Sequence, residues 1–77
     1  MLDIFFITPY KIIFEGQAKS VILPGEKGVF EILAFHKNVF SRLLAGVVII
    51  DKKVFEIKRG IVKVDRNKVA LVAEVGK

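Results

Sequence analysis

The sequence predicts an all-β fold, a sandwich or barrel of short strands. Three observations carry that reading. Apolar residues recur with a period of two, which puts them on one face of an extended chain. Val, Ile and Phe, which suit a pleated and half-buried surface, fill the recurring positions. Turn residues interrupt the pattern at intervals of about ten positions, the spacing of many-stranded β domains.

The elements follow in chain order. Leu2–Thr8 is the first strand, ended by Thr8-Pro9 because proline cannot donate to a ladder. Lys11–Ala18 follows, interrupted at Glu15-Gly16. Ser20–Leu23 and Val29–Leu33 flank Pro24-Gly25-Glu26-Lys27-Gly28, a tight connection whose glycines supply backbone conformations that side chains forbid. Ser41–Leu44 and Val47–Ile50 are separated by Ala45-Gly46. Asp51-Lys52 leads into Val54–Lys58, where Phe55 and Ile57 face one way and Glu56 and Lys58 the other. Arg59-Gly60 reads as a turn before Ile61–Asp65. Asp65-Arg66-Asn67-Lys68 is a hairpin turn in which Asn67 tolerates positive φ. Lys68–Glu74 closes the series with Val69, Leu71 and Ala73 on one face. No linker, internal repeat or low-complexity tract interrupts this single domain of residues 1–77.

Composition narrows the function. A chain of 77 residues makes one domain, and one this small buries only about 60% of its unfolded surface. Yet 53% of it is hydrophobic, with seven Phe. That surplus fits either a dense core or apolar surface that meets another protein. No cysteine is present, so disulfides and thiolate metal sites are excluded. The longest near-apolar stretch, Leu43–Ile50, is of strand length, well short of the roughly 20 residues of a spanning helix. Met1-Leu2-Asp3-Ile4 has an acid where a secretory leader carries positive charge, which reads as cytosolic. The net charge of +5 is spread along the chain with no basic run longer than two, the pattern of a solvated surface.

Catalytic patterns are missing. His36 is the lone histidine, and a lone loop histidine is more often a hydrogen-bonding residue than a base. Ser20 and Ser41 lack a nucleophile-elbow frame. The carboxylates alternate with apolar residues, as solvent-facing strand positions do, and no pair stands out for acid–base work. The Gly25–Gly28 loop lacks the lysine and hydroxyl that follow the last glycine of a phosphate-binding loop, Val29 and Phe30 standing there instead. Phe14, Phe30 and Phe55 fit core positions. Phe5 shares its face with Asp3, and Phe35 falls in a loop, so these two are expected to be exposed anchors at a protein interface.

The order of signals matches a family. Thr8-Pro9, Phe14-Glu15-Gly16, Val21-Ile22-Leu23-Pro24-Gly25-Glu26-Lys27-Gly28-Val29-Phe30, Ile32-Leu33, His36, Leu43-Leu44-Ala45-Gly46-Val47-Val48, Gly60–Val64 and Asn67–Ala73 occur in sequence. From about Leu2 to Glu74 the chain resembles the N-terminal domain of the epsilon subunit of bacterial F-type ATP synthase. The resemblance implies a flattened ten-stranded β-sandwich in the central stalk. It implies a non-catalytic role without cofactor, coupling proton or sodium flow to ATP synthesis or hydrolysis. The implied partners are the gamma subunit and the membrane ring of c subunits, with membrane contact only through the complex, on the cytoplasmic side of the bacterial inner membrane.

Carried over by position, ring contacts fall on loops at one end of the sandwich: Gly25, Glu26, Lys27, Gly28 and Val29, with Ala34, Phe35, His36, Lys37 and Asn38. Gamma contacts fall on Phe5, Thr8, Val39, Phe40 and Ser41. The chain departs from the family's common Pro-Gly-His-Ala-Pro at Ala34–Asn38, has Glu31 where a glycine is common and Val29 where an acid is frequent, and has Arg59-Gly60 for a Gly-Gly pair. These changes cluster in the loops, so the fold carries over more firmly than the contacts. The usual member continues into two helices that inhibit hydrolysis and bind ATP in some bacteria; no such arm and no ATP site is expected within these residues. The competing reading is a small basic β-barrel that binds nucleic acid, with bases stacked on Phe and phosphates on Lys.

Overall fold

The computed structural model describes residues 1–75, and these form eight strands with no helix. In chain order they are β1 Leu2–Ile7, β2 Ile12–Ala18, β3 Ser20–Gly25, β4 Gly28–Leu33, β5 Val39–Leu43, β6 Gly46–Ile50, β7 Lys53–Asp65 and β8 Lys68–Val75. All pairings are antiparallel except β1 with β8.

The strands form two layers. One runs β2-β1-β8-β7-β5; the other contains β7, β6, β3 and β4. The 13 residues of β7 belong to both. Its first part pairs with β6 from Lys53 to Ile57, and its second part pairs with β5 from Gly60 to Val64. Between Ile57 and Arg59 the ladder to β8 shifts register. A bulge bends its strand and sharpens the local twist, and here it carries the chain from one layer to the other.

This corner merges two of the nine strands read from the alternation into one. The expected turn at Arg59-Gly60 does not end a strand, so the expected Val54–Lys58 and Ile61–Asp65 are one bent element. The described residues thus hold eight strands, against nine read from the alternation and the ten that the resemblance implied. Gly60 permits the continuity. A Cβ there would lie 2.6 Å from the Val72 carbonyl oxygen and 2.9 Å from the Ala73 Cβ.

The inward faces show the alternation read from sequence. Leu2, Ile4 and Phe6 of β1, Val69, Leu71 and Ala73 of β8, and Val62 and Val64 of β7 are buried from one layer. Val21 and Leu23, Ile32, and Val48 and Ile50 meet them from the other. Phe6 and Phe55 bridge the layers edge to face, with ring centroids 5.4 Å apart. Phe14, Phe30 and Phe55 are half-buried and pack against the core, at its margin more than at its centre.

Two connections follow their turn chemistry. Arg66 and Asn67 both have positive φ, 52° and 65°, as a two-residue hairpin with mirror-image turn geometry requires. Gly28 closes the β3–β4 hairpin at φ 124°, a conformation open to glycine.

Candidate protein-docking surfaces

The outward face of the first layer should be polar if it met only water. It is not. Register places Phe5 of β1 beside Ala70 of β8, Ala70 beside Lys63 of β7, and Lys63 beside Phe40 of β5. Residues in register share a face, and all four are exposed. The next row is Ile7, Val72, Ile61 and Arg42, with Ile12 of β2 opposite Ile7. Ile12, Ile61 and Val72 are exposed, as is Leu44 beyond the end of β5. At about 4.8 Å between strands, each row from β1 to β5 spans about 14 Å. The result is a continuous apolar face with one lysine in its middle.

Polar side chains frame it. The Arg59 guanidinium donates to the Glu74 carboxylate at 3.2 and 3.3 Å. Arg42 lies 3.8 Å from Glu26. Gln17 donates to Asp3 at 2.9 Å along the opposite border. These are exposed pairs, worth little stability, and they set the boundary of the face more than they hold the fold.

The positions expected to meet partners divide. Phe5 and Phe40 do share the face, in one row. Val39 is half-buried against the core, and the Ser41 hydroxyl donates to the Arg42 carbonyl at 3.0 Å from the inward side of β5. Thr8 is buried, at 7% exposure. Its hydroxyl accepts the N–H groups of Tyr10 and Lys11, each at 3.1 Å, so it shapes the β1–β2 turn.

The two loop sets expected at one end of the sandwich lie at opposite ends. In the β3–β4 hairpin Gly25 pairs with Gly28 and Ser20 pairs with Leu33. The Gly25–Val29 turn therefore sits at one end of β4 and Ala34–Asn38 at the other, about 17 Å apart along the strand. Antiparallel pairing separates them: a single strand joins the two segments, and its ends cannot meet. Ala34–Asn38 instead neighbours the β7–β8 turn. The Phe35 N–H donates to the Asn67 side-chain oxygen at 2.7 Å, and the Arg66 N–H donates to that of Asn38 at 3.3 Å. His36 Nδ1 lies 2.7 Å from the Lys37 carbonyl oxygen, to which it donates.

Ile12, Leu44, Ile61 and Val72 were missed from sequence. One signal was present: in Val69-Ala70-Leu71-Val72-Ala73 both faces of the strand are apolar, which a solvated outer face does not need. No group of three or more His, Asp or Glu among the described residues is placed to hold a metal ion.

Comparison with known proteins accords with this architecture. The family model for the beta-sandwich domain of the ATP synthase delta/epsilon chain matches residues 1–76. The chain is 38% identical over 78 positions to the ATP synthase epsilon chain of Sulfurimonas denitrificans, covering 95% of this chain and 60% of that protein. It is 34% identical over 79 positions to the epsilon chain of Campylobacter jejuni subsp. jejuni, covering 96% and 61%. It thus spans about three-fifths of the length of these relatives. A chain in the central stalk/c-ring structure of the Tetrahymena thermophila mitochondrial ATP synthase superimposes with a TM-score of 0.81 at 18% identity, covering 95% of this chain and 63% of that one; the likeness is one of fold. The chain belongs to the beta-sandwich domain family of the ATP synthase delta/epsilon chain.

Proposed function

We propose that the domain is a non-catalytic rotor-stalk component of an F-type ATP synthase. Its outward apolar face docks on the gamma subunit, and its Gly25–Val29 turn rests on the ring of c subunits. It would thereby help couple proton or sodium translocation to ATP synthesis or hydrolysis, on the cytoplasmic side of the bacterial plasma membrane, touching the membrane only through the complex.

The observation that carries this reading is the exposed row of Phe5, Ala70, Lys63 and Phe40, backed by Ile7, Val72 and Ile61. Large contiguous apolar patches on small soluble domains mark contact surfaces, and exposed aromatics supply the anchors of such contacts. The split of the loop sets supports a division of labour. The Ala34–Asn38 loop runs directly into β5 and borders the apolar face, so it goes with gamma. The Gly25–Val29 turn lies at the other end of β5, where Glu26 meets Arg42 at the border of the face, and its exposed Lys27 and Val29 suit the ring's polar loops.

The test is reconstitution with the gamma subunit of the same organism. Mixing the purified proteins should yield a one-to-one complex on size exclusion. Separate elution at micromolar concentrations would refute the reading.

A further inference from the structure

Phe35 is the most exposed phenylalanine, at 89%, and has φ 66°. The left-handed region crowds any Cβ and is rarely occupied by bulky residues. The ring therefore sits in a disfavoured backbone state while making no contact with the core. Neither feature helps the isolated domain.

The surroundings hold it there. The Phe35 N–H is bound by Asn67, and the His36 N–H donates to the Leu33 carbonyl at 3.1 Å. Asn67 in turn accepts the Asp3 N–H on its own carbonyl at 2.8 Å, which ties the platform to β1. Three segments thus fix the backbone beneath one solvent-facing ring. The backbone beneath the ring needs no ordering on binding, which is one way that preorganised anchors gain affinity. Strain of this kind persists where function uses it.

The loop carries His36 and Lys37, and the adjoining turn carries Arg66 and Lys68 together with Asp65, an excess of cations over acids. Neither Lys37, Arg66 nor Lys68 is within ion-pair distance of a carboxylate among the described residues. The two acids of this region, Asp3 and Asp65, both stand in register with Lys68, and Lys37 and Arg66 are exposed.

We propose that Phe35 is a specificity anchor that inserts into an apolar pocket of the gamma-type partner, with carboxylates on the pocket rim facing Lys37 and Arg66. This rests on the stalk reading, since the loop is continuous with the face assigned to that partner.

The experiment is calorimetric titration of the domain with the gamma subunit of the same organism, alongside thermal melting. Phe35→Gly suits the backbone and removes the ring. Phe35→Asn does the same with a residue that tolerates positive φ. Both variants should melt at or above the wild-type temperature yet bind at least about tenfold more weakly. Lys37→Glu with Arg66→Glu should also weaken binding, more so at low salt. Undiminished affinity of Phe35→Gly and Phe35→Asn beside a binding wild type would overturn the anchor and leave the stalk reading intact. Failure of the wild type to bind would overturn both.

Discussion

Substituting Gly60 by alanine tests the corner of β7 directly. The added Cβ would sit 2.6 Å from the Val72 carbonyl oxygen, 2.9 Å from the Ala73 Cβ and 3.0 Å from the Ala73 Cα. None of these is the end of a flexible side chain, so relief requires β7 and β8 to move apart. Overpacking of this kind costs about 1–3 kcal/mol. The lower entropy of the unfolded alanine chain offsets about 0.4–1 kcal/mol of it. A net loss of about 1–2 kcal/mol corresponds to a melting temperature lower by about 5–15 °C in a domain of this size. Far-UV circular dichroism is the suitable probe, because the chain has no Trp and one Tyr. Gly16→Ala is the control: its Cβ would meet only the Phe14 ring at 3.5 and 3.6 Å, ordinary contact, so it should keep the unfolded-chain gain and leave stability unchanged or raised by up to about 1 kcal/mol. A melt of Gly60→Ala within about 2 °C of wild type would show that the two strands are not packed as tightly as described. Since Ile61 and Val72 flank this contact, the same variant should weaken gamma binding even when fully folded.

Phe40→Ala removes a ring that is 70% exposed, so stability should change by less than about 0.5 kcal/mol while affinity for gamma falls about tenfold or more, read by paired melting and titration. Asn67→Ala loses both the acceptor for the Phe35 N–H and a residue suited to φ 65°, and chemical denaturation should show a loss of about 1–2 kcal/mol, with Asn67→Gly milder. Titration with a single-stranded oligonucleotide at about 50 mM salt should show no saturable binding, because the outward Phe5 and Phe40 are separated by Ala70 and Lys63 and form no stacking series.

Much of the fold is legible in the residues. Alternation in β1, β8 and the second half of β7 assigns Leu2, Ile4, Phe6, Val69, Leu71, Val62 and Val64 to the core, because a one-residue slip would expose them all. The hairpin at Arg66-Asn67 is equally plain, since few residues tolerate its backbone. The corner in β7 was not legible. Arg59-Gly60 looks like a turn, and whether a glycine ends a strand or lets two strands approach depends on what lies opposite, here Val72 and Ala73. The docking face was half legible. Phe5 stood out by sharing a face with Asp3, but Ile61 and Val72 became surface residues only once pairing had placed their neighbours inside. Local sequence was silent on which ends of the sheet the loops occupy. That depends on strand direction, and it separated Gly25–Val29 from Ala34–Asn38.

The parallel pairing of β1 with β8 has a consequence for synthesis. The last strand lies between the first and the seventh, so the first layer is open along its middle until β8 has been made. Strands β1 and β2 can form a hairpin early, but Phe6 and Ile4 have no Leu71 or Val69 beside them. A ribosome-bound chain at that stage exposes apolar edges that later stages cover, and contacts this distant in sequence form slowly. The domain should therefore reach its native state only after release of its final strand, and chaperone contact during translation should be longest for the stretch from β1 to β7.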